Sequence, residues 1–284
     1  MSRRARTALI GAATGVAALA LVWWVSHYTG AGKHADASIL RGFADLTRPR
    51  LDQLTTFVAT LCNPSPYVYL AALPVLVAVV RRRPRVAVMI AVVLLCANET
   101  TELLKPLLAA PRDPGPFGLL YNATWPSGHA TAAMSLALCS VIAAPPRWRP
   151  AVAASMAAFA IAVSYSFLEL AWHYPSDVLG GFLVAGTWTL LGVAGLSIFE
   201  SRRAGGFAEV MPTRRPSFSV GEALAPAGVV MAVVAVLVGL VVLAHPHEVL
   251  GYARDHEAFV IGAGAIGALG MLLASALTMM LRRP

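Results

Sequence analysis

Long apolar stretches separated by short polar segments dominate the sequence. We count eight that approach the roughly 20 mostly apolar residues needed to cross the hydrocarbon core of a bilayer. These candidate membrane helices are residues 8–26, 65–80, 86–104, 128–143, 151–170, 178–198, 223–244 and 258–281. The pattern predicts an all-α polytopic membrane helix bundle, with a six-helix core and two extra C-terminal transmembrane helices.

The polar segments suggest how the chain is divided. Residues 1–198 contain the first six apolar stretches and form the predicted core. Residues 199–221 are polar and contain glycine and proline, so we expect a cytoplasmic linker. Residues 222–284 then form a two-helix membrane hairpin, which could dock on the core or mediate homo-oligomer formation through its small residues.

One segment before the second membrane helix has a mixed character. The stretch from Ile39 to Leu61 alternates apolar residues with arginines and an aspartate, which is typical of an interfacial amphipathic helix. The apolar segment that follows is short, and we expect it to extend back toward Leu54.

Composition supports membrane insertion and argues against other classes. The chain is 58% hydrophobic and 13% charged, whereas soluble domains carry about 25% charged residues. Its net charge of +8 raises the question of a nucleic-acid partner. Because the arginines occur in short clusters between apolar segments and not along one polar face, we predict that the protein does not bind nucleic acid. No cysteine or histidine spacing typical of a metal site is present.

The arginine clusters predict the orientation. Fifteen arginines fall in one set of loops and termini with only three acidic residues, which the positive-inside rule places in the cytoplasm. Both termini are therefore predicted to be cytoplasmic, and all seven histidines lie toward the other side. The first apolar segment also resembles a signal peptide. Its run of about 18 residues exceeds the usual signal core, so we expect an uncleaved helix.

Two cations follow the third apolar segment. Lys105 can pair with Glu102 one turn earlier, and Arg112 follows seven positions after Lys105. Lysine and arginine at this spacing can converge on one phosphate. The same residues also fit a helix end at the interface, followed by a solvated loop.

A polar turn precedes the fourth apolar segment. Ser127 and Gly128 begin a predicted helix, whose free N–H groups form an anion site, and His129 follows in its first turn. A capped helix start would look the same.

A second histidine lies four residues before an aspartate. Asp177 can accept a hydrogen bond from one ring nitrogen of His173 and leave the other nitrogen free to attack. A satisfied polar pair is the alternative. The seven candidate residues of these three motifs nevertheless all fall at the outward ends of predicted helices three to six. They are Lys105, Arg112, Ser127, Gly128, His129, His173 and Asp177. Together they supply two cations, an anion turn, a proton donor and an oriented imidazole, which suffice for phosphoryl transfer without a metal.

These motifs resemble those of the type 2 phosphatidic acid phosphatase superfamily, in its membrane lipid phosphatase branch; vanadium haloperoxidases belong to the same superfamily. The first motif matches Lys105 to Arg112, with Asp113 where proline is usual. The second, Pro-Ser-Gly-His, is complete at 126–129. The third matches at Ser166, His173 and Asp177, but Phe167 stands where arginine is expected.

The resemblance implies roles for these residues and requires no cofactor or metal. His173 would attack phosphorus and form a phosphohistidine, and Asp177 would orient it. His129 would protonate the leaving oxygen and then help activate water. The remaining site residues would hold the phosphate oxygens, and these are Lys105, Arg112, Ser127 and Gly128.

Phe167 leaves three interpretations open. Arg48 or Arg50 could replace the missing guanidinium, the substrate could carry less charge, or the protein could be slow or silent. Glu169 adds a further negative charge near His173.

We expect a multi-pass cell-membrane phosphatase acting on a lipid phosphate or diphosphate at the outer leaflet. Its partners would be that substrate and the membrane lipids. A phosphotransferase using the same residues, a carrier of anionic lipids and a silent membrane scaffold are the alternatives.

Overall fold

Helices account for most of the chain that the structure describes, namely residues 1–46, 52–111, 123–204 and 219–282 of a computed structural model. Four helices begin at a proline, whose missing N–H and fixed φ suit the first helical position. The α-helices are α1 Arg3–Tyr28, α2 Gly30–Ala44, α3 Asp52–Thr60, α4 Pro64–Val80, α5 Pro84–Leu107, α6 Gly128–Ala143, α7 Arg149–Glu169, α8 Pro175–Ala204, α9 Val220–Ala244, α10 Pro246–Asp255 and α11 Glu257–Arg282, with a 3-10 turn at Pro146–Trp148.

The prediction of an all-α membrane bundle is confirmed. Among the described residues, six helices are long and apolar enough to span a membrane: α1, α5, α7 with the turn before it, α8, α9 and α11. The number rises to seven if α3 and α4, which meet at a bend of 59°, form one broken span. Helix α6 is apolar but only 16 residues long. The eight predicted segments therefore all contain helix, but α4 and α6 are each too short to span the membrane as a single straight helix.

The bend between α3 and α4 has a local cause. Asn63 precedes Pro64 and has an extended ψ of 151°, as expected for a residue whose α conformation is hindered by the following proline. The second apolar segment consequently does not continue straight toward Leu54.

The expected interfacial helix between Ile39 and Leu61 is wrong as a single element. Its first residues close α2, which begins at Gly30 behind a Thr29 cap, and its last residues form α3. Phe43 is buried, with its ring centroid 5.2 Å from that of Tyr165. Helix α2 thus packs on the protein and not on the membrane interface, and local periodicity does not distinguish these two positions.

The most buried helix of the bundle is α6. Thirteen of its 16 residues are buried, and it packs against α4, α5, α7, α8 and α11. Many of these residues are alanines, so neighbouring backbones approach closely. Hydrogen bonds cross the same core: Asn98 Nδ2 donates to Tyr67 Oη at 3.0 Å, and Thr101 Oγ1 lies 3.0 Å from Thr131 Oγ1. A helix surrounded by protein on all sides needs no polar face.

Helix α11 packs on the core. A methyl group on Gly262 would lie 2.5 Å from Ile39, and one on Gly270 would lie 3.1 Å from Ile161, so both glycines permit close packing. Tyr165 Oη also donates to the carbonyl oxygen of Ala263 at 2.6 Å. Residues 205–218 of the linker lie outside the described residues. The domain boundaries stay predictions.

The helix directions create two chemically different ends. At one, here called the site end, α5 and α7 end while α6 and α8 begin. At the other, the arginine-rich end, α4 ends while α5 and α7 begin. The 24 residues of α5 separate the two ends by about 36 Å, at the usual rise per residue.

Candidate functional site

A tight turn between α7 and α8 holds His173. The N–H of Trp172 donates to the Phe167 carbonyl oxygen at 2.9 Å, and that of Ala171 donates to the Leu168 carbonyl oxygen at 3.0 Å. This pair of bonds is a Schellman motif, whose next-to-last residue takes a left-handed conformation. Ala171 has φ 51° there, although glycine would adopt it with less strain. The motif reverses the chain and directs the following residues into the site.

The predicted His173–Asp177 pair is formed. His173 Nδ1 lies 3.3 Å from Asp177 Oδ2, and the same oxygen accepts the backbone N–H of Tyr174 at 3.0 Å. The Asp177 side chain is completely buried, and that of His173 retains 12% of its exposure. Asp177 lies in the first turn of α8, where the helix dipole favours a negative charge. The aspartate is therefore fixed, and the histidine borders solvent.

The turn that begins α6 is bonded directly to this pair. Ser127 caps α6 by accepting the Ala130 N–H, and its own N–H donates to the Asp177 carbonyl oxygen at 2.9 Å. Trp125 Nε1 donates to the Ser176 carbonyl oxygen at 3.2 Å. Two motifs that are 50 residues apart in sequence thus form one hydrogen-bonded unit.

Two glycines in α8 allow this close approach. A methyl group on Gly181 would lie 2.7 Å from the Ser127 carbonyl oxygen and 2.8 Å from the Ala130 side chain. One on Gly180 would lie 3.0 Å from Trp125 and Pro126. Side chains at these positions would push α8 away from the start of α6 and separate Ser127 from Asp177.

His129 faces His173 across the site. Their ring centroids are 6.1 Å apart. His129 Nε2 lies 2.7 Å from Asn63 Oδ1, an oxygen that accepts, so this nitrogen carries a proton. The sequence patterns did not point to Asn63 as a site residue. Its position directly before Pro64 signals a helix start, but nothing local indicates that its side chain reaches a histidine 66 residues away.

Phe167 packs against both histidines of the site. Its ring centroid is 5.9 Å from that of His129 and 5.3 Å from that of His173, and the residue is fully buried. A phenyl ring therefore occupies the place where the motif would put a guanidinium. It offers packing to both imidazoles and no hydrogen-bond donor to a phosphate.

Lys105 approaches the start of α6 from the end of α5. Its Nζ donates to Glu102 Oε1 at 2.5 Å, as the spacing predicted. A methyl group on Gly128 would lie 3.1 Å from that oxygen and 3.4 Å from Nζ. The structure brings Lys105, Ser127, Gly128, His129, His173 and Asp177 to the site end. Arg112 lies outside the described residues, as do Arg48 and Arg50.

Two other carboxylates at the site end are engaged. Thr55 Oγ1 donates to Glu169 Oε2 at 3.2 Å. Asp36 of α2 was missed from the sequence: it is buried, and accepts the Ser176 N–H at 2.9 Å and the Ser176 hydroxyl at 2.5 Å. A carboxylate there satisfies N-terminal donors of α8 and ties α2 to the helix that carries Asp177. Among the described residues, no group of three or more histidine, cysteine, aspartate or glutamate side chains is arranged to hold a metal ion.

Comparison with known proteins supports the resemblance inferred from the motifs. Residues 77–198 match the family model of the PAP2 superfamily. The fold is similar to the crystal structure of a transmembrane PAP2-type phosphatidylglycerolphosphate phosphatase from Bacillus subtilis. The TM-score is 0.56 and the sequence identity 19%, over 66% of this chain and 96% of that one. No curated protein matches the sequence significantly.

Proposed function

Because residues 77–198 match the PAP2 superfamily and lie in a multi-pass membrane protein, we propose that the protein is a phosphatase for a lipid phosphate or diphosphate. The observation that carries the proposal is the His173–Asp177 pair, 3.3 Å apart and facing His129 across 6.1 Å between ring centroids. A nucleophile with a fixed partner and a second, proton-carrying imidazole is the arrangement that phosphoryl transfer through an enzyme intermediate requires.

In the first step, the Nε2 lone pair of His173 attacks phosphorus. The bond from phosphorus to the leaving oxygen breaks, and that oxygen takes a proton from the imidazolium form of His129, whose Nε2 proton stays hydrogen-bonded to Asn63 Oδ1. Asp177 accepts from Nδ1 and stabilises the positive charge that develops on the ring. The result is a phosphohistidine together with a lipid alcohol, or a lipid monophosphate if the substrate is a diphosphate.

In the second step, water gives a proton to His129 and attacks the same phosphorus. The N–P bond breaks, inorganic phosphate leaves and both imidazoles return to their starting states. Lys105, the Ser127–Gly128 segment and Arg112 would hold the non-bridging oxygens in both steps. No step needs a metal ion.

The position of the site supports a lipid substrate. The reacting groups cluster at helix ends of a membrane bundle, so a headgroup can enter while its chains stay in the bilayer. Phosphatidylglycerolphosphate, the lipid for which the structurally similar phosphatase is named, is one candidate, beside phosphatidate and polyprenyl diphosphate. We further propose that the site end faces the outer leaflet and that both termini are cytoplasmic, since the arginine clusters lie at the other end.

The test is phosphate release from these three lipids by the purified protein. We expect His173→Ala to reduce the rate at least about 1,000-fold, because the nucleophile is lost, while His247→Ala, at an exposed histidine of α10, leaves it unchanged. EDTA should not inhibit. Activity that survives His173→Ala would refute the mechanism. A reporter fused at Arg83 that signals from outside the cell would contradict the proposed orientation.

The intermediate can be tested separately. An aryl phosphate has a leaving oxygen that needs no proton, so His129→Asn should still form the phosphohistidine and then fail to hydrolyse it. We expect one equivalent of acid-labile label on the protein with this substrate. Absence of label in both His129→Asn and wild type, despite turnover, would exclude a covalent route. Release of a phosphorylated alcohol when an acceptor is added would instead indicate a phosphotransferase.

The buried Phe167 favours a second candidate, a catalytically silent scaffold, because the site lacks the guanidinium of the third motif. Phosphate release that stays at background with every lipid would establish it. Phe167→Arg then becomes informative: a gain in rate would show that the missing cation limits catalysis. No gain in an active protein would mean that another group supplies the charge.

A further inference from the structure

A cavity of about 480 Å3 opens at the arginine-rich end, far from the site described above. Its charged lining consists of five arginines and one acid: Arg4, Arg82, Arg83, Arg85, Arg149 and Glu200. The arginines come from the start of α1, the turn between α4 and α5, the start of α5 and the start of α7. Cations supplied by separate elements converge on one space, and the charge excess favours an anion.

The start of α5 adds to this preference. Arg83 is its N-cap residue and donates from Nη1 to the Ile142 carbonyl oxygen at 3.3 Å, and Pro84 follows at the first helical position. Arg85 and Val86, in the first turn, both line the cavity. The positive end of the helix dipole is thus directed at the same space that the guanidinium groups surround.

One of the arginines occupies a strained backbone position. Arg82 has φ 54°, at the left-handed residue of a Schellman motif in which its N–H donates to the Val79 carbonyl oxygen at 2.8 Å. Glycine would relieve this strain. An arginine held there despite the strain is consistent with a role for its side chain, since strained residues concentrate at functional sites.

An apolar groove of about 390 Å3 continues from the cavity between α5 and α8. The two spaces share four lining residues, among them Arg85 and Leu196. The groove adds Val88, Gly195 and Phe199, and a methyl group on Gly195 would meet no atom within 4 Å. The Arg85 guanidinium lies 5.6 Å from the centre of the Phe199 ring, where the charged cavity meets the apolar groove.

We propose that this composite site binds one anionic phospholipid, with the headgroup phosphate among the arginines and an acyl chain in the groove. A soluble phosphate would explain the arginines but would leave the adjoining apolar groove empty. A lipid of neutral headgroup would fill the groove but would not match the excess of positive charge. An anionic lipid matches both parts at once.

The site is independent of the proposed catalytic function. It lies at the opposite end of α5 from Lys105 and shares no residue with the catalytic cluster. A protein without phosphatase activity would still bind the lipid, and an active phosphatase would remain active if the lipid site were wrongly assigned.

The test is lipid retention by the purified full-length protein, measured by native mass spectrometry after incubation with equal amounts of phosphatidylglycerol and phosphatidylcholine. We expect wild type to retain phosphatidylglycerol preferentially. Arg82→Gln with Arg85→Gln should lower this retention about 25-fold, at about fivefold for each arginine. The control, Arg6→Gln with Arg147→Gln, removes the same charge from exposed arginines outside the cavity and should change little.

The groove is tested by filling it. Gly195→Leu should reduce retention of phosphatidylglycerol, whereas Gly239→Leu, which also enters open space but on α9, should not. Phosphatidylglycerol bound at the catalytic site would be unaffected by either change. Equal retention by the arginine pair and its control would overturn the proposal. So would normal retention in Gly195→Leu together with displacement of the lipid by glycerol 3-phosphate, because the site would then recognise a soluble anion.

The variant Arg82→Gly distinguishes a loss of lipid binding from a loss of folding. It removes the charge and relieves the left-handed strain, so the midpoint of thermal unfolding should stay constant or rise while lipid retention falls about fivefold. Unchanged retention in this variant would count against the proposal even if other variants failed to fold.

Discussion

At the site end, Asp177 is completely buried and accepts hydrogen bonds from His173 and the Tyr174 N–H, whereas at the arginine-rich end five arginines surround an open cavity. The first arrangement fixes single atoms at hydrogen-bond distance. The second places five positively charged side chains around one space. The first arrangement suits the proposed chemistry at a defined point, and the second suits the proposed attraction of an anion whose position need not be fixed closely.

The two ends also share a structural feature. Each has a Schellman turn with a residue other than glycine in the left-handed conformation, Ala171 at the site end and Arg82 at the other. The turns place the chain reversal just before His173 and within the arginine cluster. Substitutions in the site end and in the arginine-rich end should therefore have very different effects on phosphatase activity. Their effects on stability, where they change the two turns, should be similar.

The largest difference is expected from Asp177→Asn. An amide in place of the carboxylate loses the charge that stabilises the His173 imidazolium and alters the favoured tautomer, so kcat for phosphate release should fall about 1,000- to 10,000-fold. Steady-state kinetics measures this loss. Lipid retention at the arginine-rich end should be unchanged. A decrease below tenfold would show that the buried aspartate is only structural.

Asn63→Ala should have the next largest effect. Asn63 makes no side-chain cap for α4, so the substitution removes mainly the 2.7 Å contact with His129 Nε2. Loss of ring orientation should lower kcat about 10- to 100-fold. Asn63→Gln and circular dichroism serve as controls for geometry and folding. Full activity in Asn63→Ala would mean that His129 is oriented by its ring neighbours alone.

Gly181→Ala tests the contact between α8 and the start of α6. The added methyl group would lie 2.7 Å from a backbone oxygen, and we expect a loss of about 1–3 kcal/mol in unfolding free energy from overpacking. Gly195→Ala lies on the same helix in open space and should stabilise by up to about 1 kcal/mol through helix propensity. Thermal unfolding in detergent compares the two. Equal midpoints would contradict the close approach.

Ala171→Gly should produce the smallest change. Relief of the left-handed strain should raise stability by about 1 kcal/mol, seen as a higher unfolding midpoint, with phosphatase activity within about twofold of wild type. Arg82→Gly is its counterpart at the other end and should shift the midpoint similarly. If only one of the two midpoints rises, the two turns are not equivalent.

Much of the architecture could be predicted because membrane burial imposes a long apolar pattern on the chain. The segment predicted at 128–143 is helix α6 with the same bounds, and the pairing of Glu102 with Lys105 follows from helical spacing alone. The same pattern overextended one helix, since it does not register the effect of Pro64 on Asn63. It also missed the start and the burial of α2, which packs mainly on α1, α7 and α11.

The sequence by itself determined the membrane bundle, the motif order and the residues that we propose for phosphate chemistry, because each depends on local spacing or on one segment's contact with lipid. Only the tertiary structure joined Ser127 to Asp177, Asn63 to His129 and Asp36 to Ser176. It also packed Phe167 against both histidines and placed an apolar groove beside the arginine cavity. These contacts join residues distant in the chain, and which of them form is set by how the helices pack, for which local periodicity carries no signal.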